Sequence, residues 1–387
     1  MDLRKIPYFA EIKRVIYDGR FDAYFVGGCV RDVILDRPVQ DVDLVCFSHD
    51  YQEFAKAMKG VLPSVWVEFK DNIRLVRGRF VIDISNKRGD TLEEDMRRRD
   101  FTINSLFMDS EGNVTGDTYD LEQKILRHVS ETAFTDDPLR ILRAYRFHAQ
   151  LGFRMAKETV YKIMSEKHML AGSASERIFA ELDKLFAGAH AGSSLAKMIE
   201  TGVFEIITGG VPHADSDVTV AETCRGLTFF MSALFARLND EDKNTIADRL
   251  NLPNSMRKRA LRTARFAAEI AKILRTDDPN AIRRLIYLHP EETDDGLKLY
   301  EILSLAKGVD GYAIEESVDS VMTQLKYVDF DLPEKLNGMI LQEIGIPPGP
   351  LMGEIIKSVK PMMASGEISS LEDAEKYITE KYLRGEK

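Results

Sequence analysis

The sequence predicts an α/β head, in which a mixed sheet packs with helices, followed by a long all-helical remainder. Three observations predict it. Short apolar or alternating segments separated by turn residues recur from about residue 20 to residue 85. Beyond about residue 130 every apolar pattern has helical spacing. The 387-residue length suggests two to four domains, each able to bury a core.

Residues 1–19 are expected to be helical. FDAYFVGGCVRDVIL then gives a short strand, a Gly-Gly turn and a helix start. QDVDLVCF alternates polar and apolar residues as a strand does, and VWVEFK, IRLVRGR and RFVIDIS continue the series to about residue 85. DSEGNVTGD is expected to be a loop at the edge of this domain. DDPLRILRAYRFHAQLGF, KETVYKIMSEKH and SERIFAELDKLFAG are helical, the first with Asp and Pro at its start. From there on only helices are expected. They break at Gly209-Gly210, at Leu252-Pro253-Asn254, at the DDPN run 277–280 and at the IPPGP run 346–350.

With 44% hydrophobic residues, 25 Gly and 13 Pro, the chain is neither disordered nor low-complexity. No run approaches eighteen apolar residues, so no membrane span is expected, and MDLRKIPYFAEIKR lacks the apolar centre of a leader. Three scattered cysteines without a CxxC pair argue against disulfides and zinc, and place the protein, as an expectation, in the reducing cytoplasm. The net charge of -10 does not exclude a nucleic-acid partner. Residues 201–387 carry 23 basic and 31 acidic residues, so the first 200 residues are close to balance. Phosphate contacts are made patch by patch and are screened beyond about 8 Å at physiological salt.

Asp41 and Asp43 lie two apart on a predicted strand, so both carboxylates face one side while Val42 and Leu44 turn inward. Two such carboxylates repel unless cations sit between them, and paired Mg²⁺ ions are the usual answer in enzymes that displace at phosphorus. Taken alone, the pair is more often a solvated strand face. Gly27-Gly28-Cys29-Val30-Arg31-Asp32 shortly before it changes that weighing. Two glycines after a strand admit a triphosphate close to the backbone, and together the segments describe a nucleotidyltransferase site. Asp83, in an apolar strand, is a candidate third metal ligand, or else the partner of an arginine such as Arg79. Arg97-Arg98-Arg99 runs directly into the apolar Phe101-Thr102-Ile103, which is expected to anchor it in a core.

Asp137, Arg140 and Arg143 recur at i, i+3 and i+6 after Asp136, with Pro138 expected in the first helical turn. Arg146 extends the series, and both Arg143 and Arg146 join the nucleotide-site candidates. An i, i+3 Asp–Arg pair is ordinarily a surface salt bridge. It can also serve as a fork for a base edge, with Arg140 donating to N3 of C or N1 of A and Asp137 accepting the exocyclic amine, which G and U do not match. Lys258, Arg262 and Arg265 share a helix face and are candidate RNA-phosphate contacts, with a solvated helix as the alternative. His49-Asp50 lacks the further ligands a phosphohydrolase needs. The methionines and Trp66 are expected to fill cores.

GGCVRD…QDVDLV, TLEEDMRRRDFTINSLFMD, YDLEQKILRHV, TDDPLRILRAYRFHAQLGF and SERIFAELDKLF, in this order over residues 24–187, resemble the class II tRNA nucleotidyltransferase and poly(A) polymerase family. The segment LQEIGIPPGPLMGEIIKSV is similar to that family's C-terminal region. The resemblance implies a nucleotidyltransferase head over residues 1–125, a neck with the base-recognition helix over 126–190, a body over 191–310 and a tRNA-contacting tail over 311–387. It implies that Asp41 and Asp43 hold Mg²⁺ and that Gly27, Gly28 and Arg31 hold the triphosphate. Arg99, Asp100 and Asn104 would sense the ribose, Asp137 and Arg140 would pair with C or A, and Glu176 and Arg177 would lie on a buttressing helix. The implied partners are the tRNA 3′ end, CTP and ATP, with no obligate protein partner.

Two departures from the family pattern stand out. Asp136 replaces the usual Glu, and only NKRGD separates the strand ending near Ser85 from TLEEDM. A shortened segment there is a mark of CC-adding rather than CCA-adding members. The competing readings are a poly(A) polymerase and a catalytically inactive RNA-binding homologue.

Overall fold

The computed structural model describes residues 2–47, 50–276 and 278–384, which form two compact units divided at Ile207/Thr208. His49 and Asp277 therefore lie outside the described residues, whereas Asp50 caps a helix through a hydrogen bond from the Gln52 N–H.

The first unit opens with a 3-10 turn, Leu3–Lys5, and helix α1, Phe9–Asp18; the helix expected over 1–19 is broken between them at Tyr8, whose φ is 57°. Seven strands follow: β1 (Ala23–Val26), β2 (Asp41–Cys46), β3 (Val65–Phe69), β4 (Asn72–Arg77), β5 (Phe80–Asn86), β6 (Phe107–Met108) and β7 (Val114–Thr115). They form one sheet in the order β3-β4-β5-β2-β1-β6-β7. Only β2 and β5 run parallel, so the head is a mixed sheet. Between strands stand α2 (Gly28–Ile34), α3 (Tyr51–Val61) and α4 (Leu92–Arg97).

Strand alternation divides the sheet into two faces. Phe25, Val42, Leu44, Ile73, Leu75, Ile82 and Ile84 are at most 3% exposed and belong to one face; α1 and α3 bring Ile12, Phe54 and Met58 into the same core. The opposite face begins as an apolar patch, where Val26, Val45 and Phe107 pack with Leu92 and Met96 of α4. Along β2 it becomes acidic at Asp43 and Asp41. Burial of one face fixes the register, because a one-residue slip would turn the carboxylates into the core.

The segment DSEGNVTGD, expected as a loop, supplies the turn of the β6–β7 hairpin over 109–113 and also contains the two-residue strand β7. Asp109 accepts the Glu111 and Asn113 N–H groups across its turn. Nor is the region after residue 130 free of strands: β8 (Ile125–Leu126) pairs in parallel with β9 (Arg154–Met155). Two-residue strands carry no readable period. Helices α5 (Tyr119–Glu122), α6 (Ala133–Asp136), α7 (Leu139–Leu151), α8 (Lys157–Glu166), α9 (Ser175–Phe186) and α10 (Ala191–Glu200) follow in this unit. Both α9 and α10 pack on α7.

Among the described residues of the second unit the only regular elements are helices. The breaks have local causes. Gly209 and Gly210 take positive φ, and Asp278 caps the helix Pro279–Leu288 through the Asn280 and Ala281 N–H groups. Leu336, Leu341, Ile355, Val359, Met363, Ala374 and Ile378 form a buried cluster near its C-terminal end. Trp66 does not fill a core. It stands half-buried on edge strand β3 with the Lys59 ammonium 5.7 Å from its ring.

Candidate active site

Strand β2 presents Asp41 exposed and Asp43 half-buried on the same face. In the β2–β5 ladder Asp43 is the direct partner of Asp83, which in turn pairs with Arg74 on β4. Arg74 donates to both oxygens of Asp83, Nε to Oδ1 and Nη2 to Oδ2, each at 2.9 Å. The arginine anticipated for Asp83 is thus Arg74, while Arg79 lies over the Phe80 ring at 4.9 Å. This fork also bears on the expected metal role of Asp83, since both its oxygens are engaged. Among the described residues no three His, Cys, Asp or Glu side chains group closely enough to hold a metal by themselves.

Burial pushes the Asp43 carboxyl up to about 6, with Asp83 and Asp41 adding to the rise and Arg99 opposing it. Two carboxylates on one face, their charge only partly offset by Arg99, fit a hard cation that takes its remaining ligands from substrate phosphates. Mg²⁺ is commonly bound in that way, through one or two carboxylates plus phosphate oxygens.

The two glycines stand over Asp43. Gly27 takes φ 68°, ψ −128°, which a side-chain-bearing residue rarely adopts. A Cβ there would lie 3.6 Å from Asp43 Oδ2 and 3.7 Å from Arg99 Nη1. A Cβ on Gly28 would lie 3.5 Å from Arg31 Nη2 and 3.9 Å from Asp43 Oδ2. The glycines therefore keep open a space bounded by one carboxylate and two guanidinium groups.

Those arginines are held from behind. Arg31 donates to both oxygens of Asp32, at 2.9 and 3.0 Å, and to Asn104 Oδ1 at 2.7 Å. Arg99 donates to the fully buried Asp95 and lies 4.7 Å from the Phe107 ring centroid. Phe101 and Ile103 are completely buried, so the run of arginines ends on a core anchor as anticipated. Asp100 is buried and accepts the Phe101 N–H at 2.8 Å, Asn104 Nδ2 at 3.1 Å and Arg143 Nε at 2.7 Å, with Arg143 Nη2 in ion-pair contact. Burial alone would raise its pKa. The Arg143 charge and these hydrogen bonds more than offset that and hold the carboxyl well below its ordinary range.

On α7, Arg143 and Arg146 both reach Glu181 of α9, Arg146 at 3.1 Å and Arg143 at 3.8 Å. Arg31, Arg143 and Arg146 all lie 4.4–5.5 Å from the Phe147 ring centroid. Burial, with Arg143 nearby, lowers the Arg146 pKa to about 10.

The expected fork of Asp137 and Arg140 takes a different form. Pro138 is the N-cap of α7 rather than part of its first turn, so Asp137 precedes the helix in extended conformation. The two side chains do not pair. Asp137 Oδ1 accepts the Leu139 N–H at 3.2 Å, and Oδ2 accepts Arg177 Nη2 of α9 at 2.9 Å. Arg140 donates to the carbonyls of Ala133 and Arg98, at 3.1 and 2.7 Å. Each partner is thus oriented separately, and Arg140 keeps further N–H groups for a ligand.

The structure therefore brings Gly27, Gly28, Arg31, Asp43, Arg99, Asp100, Asn104, Arg143 and Arg146 into one connected cluster. Arg140 joins it through the Arg98 carbonyl. Lys258, Arg262 and Arg265 lie in the second unit, exposed on the helix Asn254–Ile273. Arg262 does not present a free charge, because it forms an ion pair with the buried Glu292 at 2.8 Å and lies 3.5 Å from Glu291. Sequence reasoning missed Arg74, Asp95, Glu181 and the ring positions Phe107 and Phe147. Asp95 alone left a signal, its i, i+4 spacing to Arg99.

Residues 23–127 match the Poly A polymerase head domain, and residues 152–216 match the probable RNA and SrmB-binding site of polymerase A. The CCA-adding enzyme of Streptococcus gordonii is 31% identical over 390 residues, covering 93% of this chain and 94% of that protein. That of Streptococcus uberis is 29% identical over 98% of each. Among solved structures, the Bacillus stearothermophilus CCA-adding enzyme in complex with CTP has a TM-score of 0.77 at 23% identity, covering 98% of this chain and 99% of that one. The Thermotoga maritima CCA-adding enzyme complexed with tRNA_CCA has a TM-score of 0.72 at 23% identity, over 98% and 95%. With its mixed head sheet, its two family segments and near-full-length identity above 30% to a curated relative, the chain belongs to the class II tRNA nucleotidyltransferase and poly(A) polymerase family.

Proposed function

We propose that this chain adds nucleotides to the 3′ end of tRNA without a nucleic-acid template, taking CMP from CTP and releasing pyrophosphate. The observation that carries the reading is the placement of Gly27 and Gly28 directly over Asp43, with Arg31 and Arg99 at the rim. A space bounded by a carboxylate and two guanidiniums suits a triphosphate whose α-phosphorus must meet both a cation and an incoming hydroxyl. The curated relatives named CCA-adding enzyme, and the solved CCA-adding enzymes in complex with CTP and with ATP, support the same reading.

In this reading the tRNA 3′-oxygen bonds to the α-phosphorus of CTP as the bond from that phosphorus to the β-phosphate bridging oxygen breaks. The hydroxyl proton is lost and pyrophosphate leaves. Arg31 and Arg99 hold the triphosphate, and Asn104, itself held by Asp100, fixes Arg31. Asp41 and Asp43 hold Mg²⁺, which when bound lowers the pKa of the attacking hydroxyl and offsets charge on the leaving group. Asp83, forked by Arg74, tunes Asp43 rather than completing a ligand cage. Arg140 offers donors to N3 of C or N1 of A, and Asp137, oriented by Arg177, accepts the exocyclic amine.

The segmentation at 125, 190 and 310 is proposed as a functional one, finer than the compact division at 207/208. Lys258 and Arg265, exposed on one helix face, are proposed RNA-phosphate contacts, with Arg262 contributing less because of Glu292. No helix among the described residues is long and apolar enough to cross a membrane, and we place the enzyme in the cytoplasm with its tRNA substrate.

The connection from β5 to α4 is only residues 87–91, which favours CC addition without the terminal A. The test is Mg²⁺-dependent incorporation of labelled CTP and ATP into tRNA lacking its 3′ CCA. Two C residues followed by a stall establish a CC-adding enzyme, and a terminal A extends the assignment to CCA. A second reading, poly(A) polymerase, draws on the head-domain match; repeated A addition to any RNA would select it.

A further inference from the structure

The Asp95 carboxylate is fully buried, 0% exposed, and a charge in that setting persists only when its oxygens are satisfied. They are satisfied from two directions. Arg99 donates to Oδ1 from Nε at 2.9 Å and brings Nη2 to 2.8 Å from the same oxygen as an ion pair, while the backbone N–H of Arg88 donates to Oδ2 at 2.7 Å. Asp95 therefore takes two of the three guanidinium nitrogens of Arg99. The third, Nη1, lies 3.7 Å from where a Gly27 Cβ would stand, and the Phe107 ring closes one face of the group.

Arg88 sits in the connection 87–91 and is clamped a second time. The Arg98 guanidinium donates to the Arg88 carbonyl, and the Arg98 carbonyl in turn accepts Arg140 Nη2 at 2.7 Å. One peptide segment thus touches both ends of the nucleotide site. Its N–H leads through Asp95 to Arg99, and its carbonyl leads through Arg98 to Arg140. Both links are hydrogen bonds to charged groups, which resist displacement more than neutral ones.

We propose that Asp95 is a positioning residue that aims Arg99 over the Gly27-Gly28 cradle and holds the 87–91 connection as a fixed wall of the nucleotide site. The inference rests on the nucleotidyltransferase reading above. It assigns nucleotide affinity and sugar discrimination in part to a side chain that does not touch the nucleotide.

The experiment compares the wild type, Asp95→Asn, Arg99→Lys and the double variant on tRNA lacking its CCA end. It reads KM for CTP, KM for tRNA, kcat and the CTP/dCTP preference. Asp95→Asn is expected to raise KM for CTP roughly tenfold, the size of one lost charge-assisted hydrogen bond, and to lower the CTP/dCTP preference. KM for tRNA should stay within about twofold. Because Asp95 acts through Arg99, the double variant should be no worse than the poorer single variant, a non-additivity that a merely structural carboxylate would not produce. Multiplying effects, or an unchanged KM for CTP in folded Asp95→Asn, would overturn the proposal. Should Asp95→Asn not fold, Arg99→Lys decides, since it keeps the charge but cannot be gripped at both Nε and Nη2. An unchanged KM for CTP in that variant would equally overturn it. Failure of the wild type to incorporate CMP would instead refute the reading on which the inference rests.

Discussion

Replacing Gly28 with Ala separates the fold from the function of the glycine pair. Gly28 does not need a left-handed backbone, and its new methyl would meet Arg31 Nη2 at 3.5 Å and Asp43 Oδ2 at 3.9 Å, both ordinary contacts. It opens α2, where Ala is favoured over Gly by at most about 1 kcal/mol, so stability should hold or rise slightly. The methyl nonetheless occupies the space in which a triphosphate oxygen must approach the backbone. Losing a hydrogen bond to a charged group costs about 1.5–3 kcal/mol, so KM for CTP should rise by roughly 10- to 150-fold. Gly27→Ala should do the same and also destabilise by about 1–3 kcal/mol, because its φ of 68° strains a residue with a Cβ. The assay is steady-state CMP incorporation into tRNA lacking its CCA end, with thermal unfolding measured on the same samples. A Gly28→Ala enzyme with KM for CTP within twofold of wild type would show that the triphosphate does not lie on this turn.

Other perturbations probe the rest of the site. Asp41→Ala or Asp43→Ala should abolish incorporation while leaving tRNA binding intact; more than about a hundredth of the activity in both variants would contradict a metal role worth several kcal/mol. Arg140→Ala should lower discrimination against UTP and GTP by roughly 5- to 150-fold, and Arg177→Met should do so in part by releasing Asp137; unchanged base preference in Arg140→Ala would retire the base-edge reading. Asp100, held below its ordinary pKa in the folded state, contributes stability that is present above the unfolded value near pH 4 and is lost as pH falls below it. Thermal unfolding between pH 6 and pH 2 should therefore show a steeper acid loss in the wild type than in Asp100→Asn, and parallel curves would refute the sign of the shift.

Periodicity and local chemistry determined much of this molecule. Alternation in QDVDLVCF placed Val42 and Leu44 in the core and both carboxylates outside, because side chains on a strand reverse with every residue. The glycines at 27 and 28 declared a close approach of backbone to ligand, and the charged segments in family order pointed to the chemistry. What the sequence did not contain was the pairing between elements. That Asp83 answers to Arg74 follows from the β4–β5 register. That Asp137 is held by Arg177 rather than by Arg140 follows from the packing of α9 on α7, and from Pro138 excluding Asp137 from the helix. Arg262 looks like a free cation until the chain brings Glu292 beneath it. Spacing along a chain records which face a side chain takes, whereas the partner of a buried charge is decided only when distant segments pack, because a charge is costly to bury without one.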